Sequence, residues 1–245
     1  MPEGGRAALR ACALLSGGKD SSYALYLAIR RGYEIACTLT VKPRREDSWM
    51  FHYPAVELVR LQARAMGLEG RAFFSEVSGE KEREVGEFLE ELAKLRERTC
   101  FEVLVAGAIA SRYQRERLER VAGELGVALE LPLWGADQEE HLRRLAREGF
   151  SYIIVSVTTL GLPRSMVGVP IGPQEAERII ALSRKYGFNP SFEGGEAETL
   201  VVDSPLMGRR LCLRGKRRSR GEFEHVLEIE EAWLGEKGER CIEVK

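Results

Sequence analysis

The sequence predicts an α/β protein: a doubly wound parallel sheet over residues 1–130, then a smaller α+β domain over 131–245. Two observations predict the first part. Short apolar runs alternate with helical stretches from residue 8 to 125, the pattern of βαβ units. The first of these runs also breaks into Ser16-Gly17-Gly18 just before a helix, a turn typical of such units. The third observation concerns the rest of the chain, where short strand-like pieces cluster behind a helix after Pro132.

Taken in order, residues 8–15 read as a buried strand, and 21–31 as a helix ending at Gly32, a C-cap signal. Residues 33–41 are β-branched and apolar and complete one βαβ unit. A helix over 54–66 closes at Gly67, and a strand is expected over 71–77. Residues 81–98 form a charged helix with Val85, Phe88, Leu89, Leu92 and Leu95 on one face. The apolar run 101–109 leads into a serine-started helix, 111–125. Beyond a boundary at 125–137, a helix is expected at 138–148, a strand at 152–158 and a Gly/Pro-rich stretch at 161–173. A helix at 174–186 and strands at 199–202, 210–213, 226–230 and 241–244 complete the reading.

A composition of 44% hydrophobic and 31% charged residues supports a core without staples, and a net charge of −1 gives no general attraction to nucleic acid or membrane. The cysteines Cys12, Cys37, Cys100, Cys212 and Cys241 are odd in number, widely spaced and never CxxC. Free thiols in a reducing compartment are therefore expected, rather than a zinc knuckle. No apolar run reaches membrane-spanning length and no charged-then-apolar leader is seen, so a cytoplasmic protein is expected. Asn189 is the single asparagine and glutamines number only four, a pattern that fits a thermophile.

The segment Ser16-Gly17-Gly18-Lys19-Asp20-Ser21-Ser22 stands between a strand and a helix. Backbone amides and the positive helix end converge there, glycines admit close approach, and Lys19 adds a cation. It is not a Walker A motif: Ala13 stands where the first glycine belongs and Asp20 follows the lysine. SGGKDS after a strand resembles instead the PP-loop of the N-type ATP pyrophosphatases. Three further stretches stand out: SWMFH at 48–52, GAIASRYQRER at 107–117 and EGGEAET at 193–199. With MFH at 50–52, PLW at 132–134 and Asp203-Ser204-Pro205, they resemble the diphthine–ammonia ligase (diphthamide synthase) branch of those enzymes. Relatives usually carry an aromatic residue where this chain has Ala197.

The resemblance implies a HUP/Rossmann-like PP-loop domain for ATP over 1–130 and a substrate-recognition domain over 131–245. It implies ATP-dependent amidation, by ammonium, of the diphthine carboxylate on translation elongation factor 2, through an acyl-adenylate, with release of AMP and pyrophosphate. Ser16, Gly17, Gly18, Lys19, Asp20, Ser21 and Ser22 would hold the phosphates, with Gly107 and Ser111 completing the mouth and His52 near the adenosine. Tyr113, Gln114, Glu193, Gly194, Gly195, Glu196, Glu198 and Thr199 would face the diphthine. Lys19, Asp20, Glu196 and Glu198 would carry the chemistry, and Asp20 would contact Mg²⁺ or cap its helix. No cysteine sits on a glycine elbow, so free ammonium is the expected nitrogen donor. Neither membrane nor nucleic acid is expected as a partner, and self-association into a homo-oligomer stays open.

Two alternatives remain. A thiolation-type tRNA-modifying enzyme shares the loop and suits the basic run at 209–220, but lacks its paired cysteines here. That run also suits docking onto an elongation factor, or a solvated hairpin. A sensor that binds ATP or AMP without turnover is the non-enzyme alternative, against which the intact Lys19-Asp20-Ser21 speaks.

Overall fold

The computed structural model describes residues 8–44, 58–80 and 82–245. Strand β1 (Arg10–Leu14) pairs in parallel with β2 (Glu34–Pro43) on one side and β4 (Val103–Val105) on the other. With β3 (Ala72–Val77) and β5 (Ala128–Glu130) at the edges, the sheet runs β3-β2-β1-β4-β5, parallel throughout. The chain winds outward from β1 to β3, then crosses back to β4. This opens a crevice at the carboxyl ends of β1 and β4, where open α/β sheets bind ligands.

Alternation along the strands sorts side chains onto two faces. Ala11, Ala13, Val103 and Val105 join the core that includes Tyr23 and Leu25 of α1 (Lys19–Arg30). Cys12 and Leu104 face the other way, against Phe88 and Leu92 of α3 (Arg83–Thr99) and Leu118 and Val121 of α4 (Arg112–Leu125). Between β2 and β3 lies α2 (Val59–Ala65); the expected start of that helix, residues 54–57, falls outside the described residues.

The second half of the chain packs on the α1 side. Its elements are α5 (Gln138–Arg147), β6 (Ser151–Val157), β7 (Pro170–Ile171), α6 (Pro173–Tyr186), β8 (Ala197–Asp203), β9 (Arg210–Ser219), β10 (His225–Gly235) and β11 (Ile242–Val244). They form a mixed sheet, β11-β9-β10-β6-β7, with β8 also on β6. Tyr152, Ile154, Leu200 and Val202 enter the same core as Ala11 and Tyr23, so the two halves share one apolar interior.

Three sequence expectations change. The run 101–109 yields a strand of only Val103–Val105, because the residues after it leave the sheet to line the crevice. Strands β9 and β10 extend well past 210–213 and 226–230. Their outer parts carry alternating charges that pair across the hairpin: Arg218 with Glu228, Lys216 with Glu230 and Arg214 with Glu231. The cysteines are not all free thiols. Cys212 and Cys241 form a disulfide across a separation of 29 residues, because β11 returns beside β9. Cys12 and Cys37 are free and buried, and Cys100 is free and exposed. Among the described residues no helix is long and apolar enough to cross a membrane.

Candidate active site

The chain leaves β1 at Leu14 and enters α1 at Lys19 through a glycine turn. Gly18 caps α1 without any side-chain hydrogen bond, so the helix presents its positive end to the loop. Gly17 has φ +86°, and a Cβ there would lie 2.7 Å from Gln62 Oε1 and 2.9 Å from Val59 Cγ2. Gln62, fully buried, donates its Nε2 to Gly17 O at 3.0 Å and to Val201 O at 2.7 Å, stitching the loop to β8. The Ser16 and Ser21 hydroxyls sit 2.9 Å apart, and Ser16 N donates to Ser21 Oγ. The turn is thus built before any ligand arrives.

Gly107 explains how the third wall comes so close. A Cβ on it would lie 2.7 Å from both Asp20 C and Ser21 N, so this segment rests directly on the loop backbone. Ser111, a little further on, is the N-cap of α4 and accepts from Gln114 N at 3.3 Å.

Of the loop's charged residues, Lys19 is buried and Asp20 partly so, its side chain 22% exposed. Lys19 is 2% exposed; its Nζ donates to Asp20 Oδ2 and to Ser191 O, both at 2.7 Å, and lies 5.3 Å from the centre of the Phe192 ring. The other Asp20 oxygen, Oδ1, is 2.7 Å from Nε2 of His141 on α5, itself 3% exposed. Burial alone would raise the Asp20 carboxyl, but the Lys19 charge and the His141 hydrogen bond prevail and hold it below the usual carboxylate value. The circuit closes through Ser191, whose hydroxyl donates to Gln138 O, one turn before His141.

The EGGEAET turn enters from the opposite side. Asn189 organises it: its Oδ1 accepts from Ser191 N at 2.9 Å and from Glu193 N at 3.5 Å. Glu196 accepts from Asn189 N at 3.0 Å and Gly194 N at 2.8 Å, so both its oxygens fasten the turn. Thr158 Oγ1 donates to Gly195 O at 2.7 Å. Glu193 Oε2 accepts from Ala110 N at 3.0 Å, tying the turn to the Gly107 segment. Burial, then the nearby Asp20 charge, push the Glu193 carboxyl above its usual value. Thr199 Oγ1 accepts from Lys19 N at 3.2 Å, which brings β8 against the start of α1.

These segments enclose a cavity of about 170 Å³. Of the residues expected from sequence, Ser16, Gly18, Lys19, Asp20 and Ser21 line one side, Gly107 and Gln114 another, and Glu193, Glu198 and Thr199 a third. Leu15, Leu39, Val41, Ala106 and Leu118 give it an apolar floor. One wall offers amide donors, hydroxyls and an ammonium group, while the other offers carboxylates. The cleft suits an anionic group bonded to, or reacting with, a cationic one.

Other expected residues stand elsewhere. Ser22 is fully buried in α1, and Gly17, Gly194, Gly195 and Glu196 shape turns behind the lining. Tyr113 packs into the α3–α4 core with the Arg117 guanidinium 3.7 Å from its ring centre, away from the cleft. His52 lies outside the described residues. Sequence reasoning missed His141, Ser191, Phe192 and Gln62. A histidine on the inner face of an amphipathic helix was the only signal for the first, and it has no motif around it.

Comparison with known proteins follows the same outline. Residues 9–129 match the family model described as the diphthamide synthase N-terminal domain, and 137–244 match that of the diphthamide synthase C-terminal domain. The chain belongs to the diphthamide synthase family. The diphthine–ammonia ligases of Homo sapiens and Rattus norvegicus, also of this family, are each 32% identical to it, over 84% of this chain and 83% of theirs. That of Schizosaccharomyces pombe is 30% identical over 85% of this chain, which spans only 36% of that longer protein. With these diphthamide synthase relatives, the chain is an enzyme of the diphthine–ammonia ligase class. Among solved structures, a predicted subunit of tRNA methyltransferase from Methanocaldococcus jannaschii aligns with TM-score 0.41 at 17% identity, covering 80% of this chain and 97% of that one.

Proposed function

We propose that the protein uses ATP and ammonium to amidate the diphthine carboxylate of translation elongation factor 2, through an acyl-adenylate, releasing AMP and pyrophosphate. A single observation carries this reading: the Ser16–Ser22 loop, locked by Gly107, opens into the same cleft as Glu198 and Thr199 of the EGGEAET segment. Loop amides, the Ser16 and Ser21 hydroxyls and Lys19 bind the β and γ phosphates that leave as pyrophosphate, and the apolar floor takes the adenosine. Ordering the α-phosphate against the diphthine carboxylate is the main catalytic contribution, because adenylation rests on positioning and charge neutralisation.

Asp20 does not fit a direct metal contact, since its two oxygens hold Lys19 and His141. In our reading it anchors Lys19. Mg²⁺, which neutralises polyphosphate charge, would draw on Glu193 and Glu198, the other carboxylates lining the cleft. Glu198 faces the quaternary ammonium of diphthine or takes the proton released as ammonia attacks. Glu196 acts indirectly, by fixing the turn. The cytoplasm, where elongation factor 2 works, is the proposed setting. The hairpin that holds the basic run is neutralised by its own glutamates, which gives no support to an RNA-binding role.

The test incubates the protein with ATP, ammonium and diphthine-bearing elongation factor 2, following the factor by mass spectrometry and AMP by chromatography. The expected result is conversion of acid to amide with one AMP per event. Bound ATP without AMP would support the sensor alternative and reject this proposal.

A further inference from the structure

The loop lysine faces a conflict. Lys19 lines the cleft, yet its ammonium is buried against Asp20 Oδ2 and Ser191 O. To reach a phosphate it must leave the carboxylate, and a carboxylate as largely enclosed as Asp20 is disfavoured without a partner. A loop lysine held so firmly would resist its ligand.

His141 offers the solution. Its Nε2 meets Asp20 Oδ1, on the far side of the carboxylate from Lys19, at 2.7 Å. The ring cannot easily drift: it is 3% exposed and packs 5.5 Å from Tyr23, centre to centre. Its helix is fixed at its start by Asp137, whose side chain accepts from Glu140 N, and one turn earlier by Gln138 O, which accepts from Ser191 Oγ. His141 therefore stays with Asp20 whether or not Lys19 does. The Ser191 carbonyl is a neutral acceptor, so leaving it costs less than leaving the charged Asp20, the group whose loss of contact matters most.

We propose that His141 is a positioning residue that acts through Asp20: by keeping a hydrogen bond on that carboxylate, it lets Lys19 move from its parked site onto the phosphates of the nucleotide. This inference rests on the proposed ATP-binding role of the loop. It assigns a task in the nucleotide site to α5, which lies in the second half of the chain and contributes no residue to the cleft lining. The residue acts on binding of the anion rather than on the reacting atoms.

The experiment is a double-mutant cycle on ATP affinity, read by calorimetry on the full-length protein without any acceptor substrate. His141→Ala is expected to weaken ATP binding about tenfold, the size of one lost charge-assisted hydrogen bond. His141→Gln, whose Nε2 reaches a similar position, is expected to bind ATP within about threefold of the parent protein. In a Lys19→Ala background, where nothing needs to leave Asp20, His141→Ala is expected to change ATP affinity by less than about twofold. Thermal melts of every variant verify folding, and the Gln variant keeps the test open if the Ala variant melts early. Unchanged ATP affinity in His141→Ala, or an equal loss with and without Lys19, overturns the inference in favour of a purely structural histidine. Failure of the parent protein to bind ATP overturns this inference and the proposed function together. ATP binding without AMP formation removes only the function, and the cycle still decides the role of His141.

Discussion

Two double-glycine segments meet at this cleft, and they use their glycines differently. In the loop at 16–22, Gly17 has a left-handed backbone and Gly18 opens α1, with Ser16, Gly18 and Ser21 lining the cleft. Its charged pair is turned inward, with Lys19 buried and Asp20 partly so. In the turn at 193–199, Gly195 is likewise left-handed, but the carboxylates of Glu193 and Glu196 bind backbone amides: those of Ala110, Asn189 and, within the segment, Gly194. One segment sets a helix start and two hydroxyls on the cleft wall, held in place by bonds within the loop and to Thr199. The other uses its acids to hold its own shape, leaving Glu198 at the cleft wall. Similar letters therefore do different work, and burial and hydrogen-bond partners decide which.

The sharpest way to break this contrast is Lys19→Ala. Removing the cation from this partly buried carboxylate is expected to lower unfolding free energy by about 2 kcal/mol, below the range for fully buried pairs because Asp20 is 22% exposed and His141 remains. Urea denaturation measures the stability, and AMP release is expected to be lost. Glycine substitutions come next. Gly107→Ala places a Cβ against the backbone of Asp20 and Ser21, which has little room to yield, and should cost about 1–3 kcal/mol with loss of ATP affinity. Gly194→Ala displaces the Glu196 carboxylate from its two backbone amides, and should cost about 1–2 kcal/mol while leaving ATP affinity in place. If the two variants behave alike, the contrast between the segments is wrong.

Acid separates the segments by sign. A carboxyl held low in the fold, like Asp20 below its usual 3.8, stabilises above the unfolded value, and that contribution is lost as pH falls through the folded one. Asp20→Asn should therefore be less stable than the parent at pH 7 and converge with it as pH falls through the folded value. Glu193 is raised above its usual 4.5, so its ionisation opposes folding, and protonation on acidification relieves this. Glu193→Gln should be the more stable form at pH 7, with the difference closing as pH falls through the folded value. Denaturant titrations across pH measure both. The smallest effect is expected at the hairpin: Arg218→Ala removes an exposed pair with Glu228 and should shift stability by less than about 0.5 kcal/mol.

Legibility in the sequence followed locality. The β1–loop–α1 unit was readable because an apolar run, paired glycines and a helical run sit side by side. α4 was readable because Ser111 is a true N-cap. The hairpin ends were not, since Arg214, Lys216 and Arg218 look like solvated loop until their glutamate partners on β10 are in register. The Cys212–Cys241 bond was hidden because only the return of β11 beside β9 brings the two together. The site divides in the same way. Gly107 announced itself within a motif, whereas His141 meets Asp20 across 121 positions of sequence. The SWMFH stretch falls outside the described residues.

Asn189 carries one more consequence. In a chain with a single asparagine, that residue holds together the turn that faces the cleft. Asparagine ages by deamidation, in which the nitrogen of the following peptide attacks the side-chain amide. Here the following residue is Pro190, whose backbone nitrogen carries no hydrogen and is locked in a ring. The usual cyclisation is closed off at the one position where it could occur. The turn is thus closed to the commonest route by which an asparagine loses its neutral amide, and the residue next door closes it.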